Sequence, residues 1–149
     1  MDEEYIQKSW IGGICIRDGK VLLVHRINNE DGVKKEYFVF PGKEVQGDET
    51  LETALCNAFK DFSITIKLGE LFYSKEDKVD DLEYYYLCDY ILGEPKVAAG
   101  SNEAEKMENG GEQLFEPIWV ELSDVDDLIV YPESVKSAIL ELVEENGSI

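Results

Sequence analysis

Residues 37–66 read YFVFPGKEVQGDETLETALCNAFKDFSITI. Tyr37 to Phe40 is a short apolar run of strand length, and Pro41-Gly42 stops it. After an acidic loop the period changes. Leu51, Ala54, Leu55, Ala58, Phe59 and Phe62 fall at i, i+3, i+4, i+7, i+8 and i+11, which is one apolar stripe along a helix. Thr50 suits the N-cap, because its hydroxyl oxygen can accept from a free backbone N–H of the first turn. From Ser63 to Ile66 the sequence turns β-branched, so the helix is expected to end near Phe62.

Toward the N-terminus, Trp10 to Ile16 is apolar and β-rich, Arg17-Asp18-Gly19-Lys20 is a tight turn, and Val21 to Val24 resumes the apolar run. Strand, Asp-Gly turn, strand is a hairpin signal. Ile27 to Glu36, with Asn28-Asn29 and Gly32, reads as a polar loop. Toward the C-terminus, Leu68–Tyr73 and Leu82–Leu92 read as strands around the charged turn Lys75–Asp81. Ala98–Gly111 is the longest loop, and Phe115–Leu122 is another strand. Pro132 suits the first turn of a last helix, whose inner stripe is Val135, Ala138, Ile139, Leu142 and Val143. No repeat or linker interrupts the chain. The mixture predicts a single α/β domain over 1–149, with a mixed sheet between helices.

Composition narrows the function. The chain has 149 residues, 44% of them hydrophobic and 11% aromatic, which excludes a disordered chain and allows one sizeable core. No apolar run is long enough to span a membrane, and the acidic start Met1-Asp2-Glu3-Glu4 lacks a signal core, so a cytoplasmic protein is expected. Cys15, Cys56 and Cys88 are far apart without CxxC spacing and read as reduced thiols. His25 is the single histidine, which argues against a zinc cluster, and a lone histidine is most often a packed or surface residue. The net charge of −19 disfavours a nucleic-acid polymer or an anionic membrane as partner. It leaves room for a small phosphorylated ligand. A monomer or small homodimer is expected. No GxSxG, Walker loop, GxGxxG or HExxH occurs, so serine, cysteine and zinc mechanisms have no support.

The order strand, Pro-Gly, acidic loop, helix resembles the Nudix hydrolase family, and the opening hairpin and later elements follow that family's order. The resemblance implies an α/β/α sandwich, and hydrolysis of nucleoside diphosphates linked to another group with Mg²⁺ or Mn²⁺. The family signature is G-x5-E-x7-R-E-U-x-E-E-x-G-U, where U is bulky and apolar. Aligned on Pro41-Gly42 and Glu49-Thr50, its first glycine falls on Lys43 and its first glutamate on Glu49. The arginine position holds Asn57, and the glutamate after it is Ala58. Phe59 keeps the apolar position. The paired glutamates become Asp61 and Phe62, and the closing glycine and apolar residue become Ile64 and Thr65.

Positions 58, 61 and 62 share one helical face. Three carboxylates there would gather a hard divalent cation, which would polarise a pyrophosphate and activate water. Ala58 and Phe62 supply no oxygen. The resemblance therefore implies catalytic and metal roles for Glu49 and Asp61, with Glu112 of the late loop as a further ligand. Glu103, Glu105 and Glu108 lie in the same loop, and Glu44 and Asp48 precede the helix. Arg26 occupies the place where similar proteins carry a basic residue near ligand phosphates. Tyr84 and Tyr86 share one strand face and are substrate-binding candidates by stacking on a base, with Tyr85 on the opposite face as the alternative. The expected function is binding of a nucleotide or nucleotide-sugar diphosphate with little or no ordinary hydrolysis. Two alternatives remain: an active divergent pyrophosphohydrolase built from Glu49, Asp61 and loop acids, and a protein-interaction module.

Overall fold

A computed structural model describes residues 8–78, 81–101, 104, 107 and 113–146. Strand β1 (Lys8–Arg17) turns back into β2 (Lys20–Glu30), and β2 into β3 (Val33–Val39). Both reversals use Asp-Gly with positive φ at each central residue: 53° and 78° at Asp18-Gly19, 51° and 77° at Asp31-Gly32. That geometry is the type I′ turn, which matches the twist of antiparallel strands. The loop expected over Ile27–Glu36 is thus a hairpin arm instead. Ile27 pairs with Glu36 and Asn28 with Lys35. This arm reaches past the core and carries polar side chains along most of its length, so no apolar alternation marks it.

After β4 (Gly42–Glu44) comes α1 (Leu51–Lys60), then β5 (Thr65–Lys78), β6 (Asp81–Leu92) and β7 (Gln113–Glu121). A 3₁₀ turn (Leu122–Asp127), a short β8 (Val130–Tyr131) and α2 (Glu133–Asn146) complete the described chain. The eight strands form one mixed sheet with the path β5-β6-β1-β2-β3-β8, while β4 pairs with β1 and β7 with β2. β1 runs parallel to β6, and β3 parallel to β8.

Alternation along the strands sorts side chains into two cores. Ile11, Cys15 and Leu22 pack with Ala54, Leu55 and Phe59 of α1. Ile14, Val21 and Leu23 pack with Val135 and Ile139 of α2 on the opposite face. The architecture is therefore helix, sheet, helix. Gly13 lets α1 sit close to the sheet, because a Cβ there would lie 2.4 Å from the Phe59 ring.

The start of α1 is as expected: Thr50 Oγ1 accepts from the Thr53 N–H at 3.1 Å. The end differs. The helix stops at Lys60, and the Ile64 N–H closes back onto the Phe59 carbonyl at 3.1 Å. Ser63 carries the left-handed φ of 67° that this closure needs. It does so one residue before the position that the signature reserves for glycine, which leaves Ile64 free to enter the core. Among the described residues, no helix is long and apolar enough to cross a membrane.

Candidate functional site

The three residues of β4 divide the site. Lys43 pairs with Ile11, whose side chain belongs to the α1 core. Glu44 pairs with Trp10, on the alternate face. One side of β4 therefore belongs to the helix that carries the signature, and the other to a cavity.

On the α1 side, Glu49 accepts from the Gln46 N–H at 2.9 Å and from Lys43 Nζ at 3.3 Å. The Gln46 hydrogen bond, chiefly, holds the Glu49 carboxyl below its ordinary range against a desolvation penalty, and the Lys43 ammonium adds to the effect. Glu49 thus ties together the loop that precedes α1. Asp61 caps the C-terminal end of α1. Partial burial pushes its carboxyl above the ordinary range, with the Lys43 charge opposing. The segment after β6 docks on this helix end: Ala98 N–H donates to Asp61 O at 2.8 Å, Lys96 N–H to Phe62 O at 3.0 Å, and Ser63 Oγ to Lys96 O at 2.8 Å.

The two positions where the signature would add carboxylates are closed. Ala58 is 2% exposed and Phe62 4%. Phe62 packs with Val24 and Phe115, and Val39, Val97 and Met107 close around them. An apolar cluster thus takes up Phe62's side of the helix end, where the signature would set a carboxylate. Glu112, like Glu103, Glu105 and Glu108, lies outside the described residues. A hard divalent cation needs several oxygen ligands. Here the donors are Glu49, already engaged by Gln46 and Lys43, and Asp61. Among the described residues, no group of three or more histidine, cysteine, aspartate or glutamate side chains is placed to hold a metal ion. The described residues alone do not make a cradle for Mg²⁺ or Mn²⁺, and the charge beside both acids is the Lys43 ammonium.

Arg26 stands beside this cluster. Its guanidinium carbon lies 4.0 Å from the Phe115 ring centroid and 5.7 Å from that of Tyr37, and Nη2 donates to Gln113 Oε1 at 3.3 Å. Its Nε is buried and has no hydrogen-bond partner among the described residues. A buried donor left open is costly, and a bound acceptor would relieve it. His25 takes no part in the cluster. It lies between Glu36, 2.6 Å from Nε2, and Glu116, 3.4 Å from Nδ1, and stacks on Phe38.

On the other side of β4 opens a cavity of about 420 Å³, walled by Trp10, Phe40, Glu44, Glu83, Tyr85 and Tyr131 among others. Parallel pairing of β1 with β6 sets Tyr85 opposite Gly12. A Cβ at Gly12 would lie 2.5 Å from the Tyr85 ring, so glycine is what admits the ring. Tyr85 meets Phe40 edge-to-face at 6.1 Å, and its hydroxyl donates to Glu83 Oε1 at 3.0 Å. Trp10 is 38% and Tyr131 46% exposed, which is unusual for large aromatic rings clustered at one opening. Tyr84 and Tyr86 are not among the cavity walls. Tyr86 packs instead toward the α1 core.

Of the site residues expected from sequence, Glu49 and Asp61 lie at the two ends of α1, and Arg26 lies on β2 beside the Phe115 ring. The sequence reading missed Trp10, Phe40, Glu44, Glu83 and Tyr131 as one wall set. Their meeting depends on the β1–β6 register, which no local pattern encodes. The Gly12–Gly13 pair inside an apolar strand was the one available hint, since glycine in a strand marks close approach by a neighbour.

No family model and no curated protein matches the sequence. Solved structures do match the fold. A NUDIX hydrolase from Nitrosomonas europaea superposes with a TM-score of 0.67 at 11% identity, over 93% of this chain and 90% of that one. The MutT protein from Methanosarcina mazei Go1 gives 0.63 at 17% identity, over 97% and 99%. An ADP-ribose pyrophosphatase from Streptococcus suis gives 0.57 at 13% identity, over 84% and 80%. At such identities the likeness carries the backbone and not the chemistry, and what it establishes is that this chain has the Nudix fold.

Proposed function

We propose that this protein binds a small nucleotide-type diphosphate and hydrolyses it little or not at all. The observation that carries this reading is the burial of Ala58 and Phe62, the latter within a packed apolar cluster. Water activation by a divalent ion needs a carboxylate cradle, and that face of α1 holds packing residues instead. The ligand class is supported by the fold, since one similar structure is an ADP-ribose pyrophosphatase. It is supported also by the cavity, whose volume and aromatic walls suit a base.

In this reading the base enters the cavity of Trp10, Phe40 and Tyr85, and Arg26 meets phosphate. Tyr37 bridges the two: its ring lies under the Arg26 guanidinium and 5.6 Å from Tyr131 at the cavity wall. The Arg26 guanidinium supplies a charge-assisted donor group for an anion in a chain whose net charge is −19. The protein works as a single cytoplasmic domain, a monomer or small homodimer, without a nucleic-acid polymer as partner.

Calorimetric titration with ADP-ribose and nucleoside diphosphates, in EDTA and again in Mg²⁺, tests the reading. Binding unchanged by the metal, with no release of nucleoside monophosphate or inorganic phosphate, is the expected result. Metal-dependent turnover would overturn it in favour of an active pyrophosphohydrolase. Failure to bind any of these ligands would leave the interaction-module reading in its place.

A further inference from the structure

We infer that Glu44 and Glu83 make the aromatic cavity selective for a base that presents an exocyclic amino group. This rests on the reading that the ligand is of nucleotide type, and it narrows which one.

The side chains that point to this differ in what they offer. Trp10, Phe40 and Tyr85 supply flat apolar surface, on which any base stacks about equally well. Discrimination must come from polar atoms. A carboxylate is an acceptor only. Two of them, Glu44 and Glu83, line the cavity together with the Ser9 hydroxyl, and among the described residues no lysine or arginine does. The Tyr85 hydroxyl donates to Glu83 Oε1, which fixes the carboxylate and uses the donor that Tyr85 would otherwise offer a ligand. That bond engages Oε1 and leaves the second Glu83 oxygen as a further acceptor. The cross-strand neighbours of Glu83 are Lys75 of β5, which is not among the cavity walls, and Trp10 of β1, which is. Glu44 stands opposite Trp10 in the β1–β4 pairing, so its carboxylate is carried beside the exposed indole.

An amino group entering this rim donates to a prepositioned carboxylate oxygen. A carbonyl in the same place sets acceptor against acceptor and leaves a partly desolvated carboxylate without its partner. The discrimination therefore acts between bases that differ by one amino-for-carbonyl or amino-for-hydrogen exchange. Such pairs have nearly the same shape and stacking surface.

The test is calorimetric titration of the full chain, in EDTA, with CDP against UDP and with ADP and GDP against IDP. The amino-bearing member of each pair should bind at least about ten-fold more tightly. Glu83→Gln should shrink that ratio to about three-fold or less, because a carboxamide offers a donor as well as an acceptor. Glu44→Gln serves as the second variant should Glu83→Gln lose its native circular dichroism. Equal affinities across each pair, or an undiminished ratio in a folded variant, would overturn the assignment and leave the nucleotide reading standing. Absence of binding by all five nucleotides would overturn both.

Discussion

Lys43 and Glu44 are adjacent in a strand of three residues, yet they face regions built in opposite ways. On the Lys43 side, the places that a cation cradle would need are filled by Ala58 and Phe62, and a loop closes over the helix end. On the Glu44 side, aromatic rings stand apart around an open cavity, with carboxylates at its rim. The backbone likeness covers both regions equally. What separates them is whether a side chain is packed or left facing space. A motif position occupied by a closely packed ring is not a ligand position awaiting its ligand.

The largest effect is expected from forcing the packed side to look like the open one. Phe62→Ala alone should cost about 3–5 kcal/mol, the usual range for a buried aromatic ring. Ala58→Glu with Phe62→Glu should cost more, because two carboxylates would enter buried positions, one of them within an apolar cluster. We expect the double variant to be unfolded at room temperature by near-ultraviolet circular dichroism, with or without Mg²⁺. A variant that folds and gains thermal stability on Mg²⁺ addition would show that this face opens to solvent, and the contrast between the two regions would be lost.

The open side is tested by filling it from within. Gly12→Ala puts a methyl group 2.5 Å from the Tyr85 ring, which must then move. Overpacking of this kind costs about 1–3 kcal/mol. The ring can yield only by shifting against Phe40 or into the cavity. Nucleotide affinity should fall while the unfolding transition stays cooperative. Unchanged affinity in a folded Gly12→Ala protein would place the ligand elsewhere. Trp10→Ala should have a smaller effect on stability, since that ring is already 38% exposed, and should weaken binding by about 1–3 kcal/mol if a base stacks on it.

These sites differ too in how far the sequence reveals them. The α1 stripe, the Thr50 cap and the Asp18-Gly19 turn are local: spacing and residue chemistry fix them within a few positions. The loss of carboxylates at Ala58 and Phe62 is equally plain from the resemblance. The arm Ile27–Glu36 was not legible as strand, because most of its side chains face water on both sides and only the Asp31-Gly32 turn sets its register. The cavity was hidden for another reason. Trp10, Glu83 and Tyr131 come from three strands and Phe40 from the link between β3 and β4, and they meet only through long-range pairing, part of it parallel. Alternation through Tyr84, Tyr85 and Tyr86 offered two faces without saying which was buried against what. The Gly12–Tyr85 contact decides that, and it exists only in three dimensions.

The smallest effect is a difference of sign between two acids that share one lysine. Asp61 is raised by burial, so the folded chain holds that proton more tightly than the unfolded one. Its contribution to stability then falls as pH rises from the ordinary aspartate value of 3.8 through the higher folded value, and stays low above it. Glu49 is lowered, mainly by the Gln46 N–H, so its contribution is present above 4.5 and is lost as pH falls through the folded value. Asp61→Asn should therefore stabilise the protein at neutral pH, by less than about 1 kcal/mol because the group remains partly solvated, and the gain should vanish in acid. Glu49→Gln should do the reverse, destabilising at neutral pH and matching the parent in acid. Lys43→Met withdraws the charge that lowers both groups, so both folded values should rise. Urea unfolding of the four proteins from about pH 3 to pH 7 reads all of these slopes. Parallel pH profiles for Asp61→Asn and Glu49→Gln would mean that the two acids share one environment. Lys43 would then not be the fixed cation between them, and the metal argument for this side of β4 would have to be rebuilt on other groups.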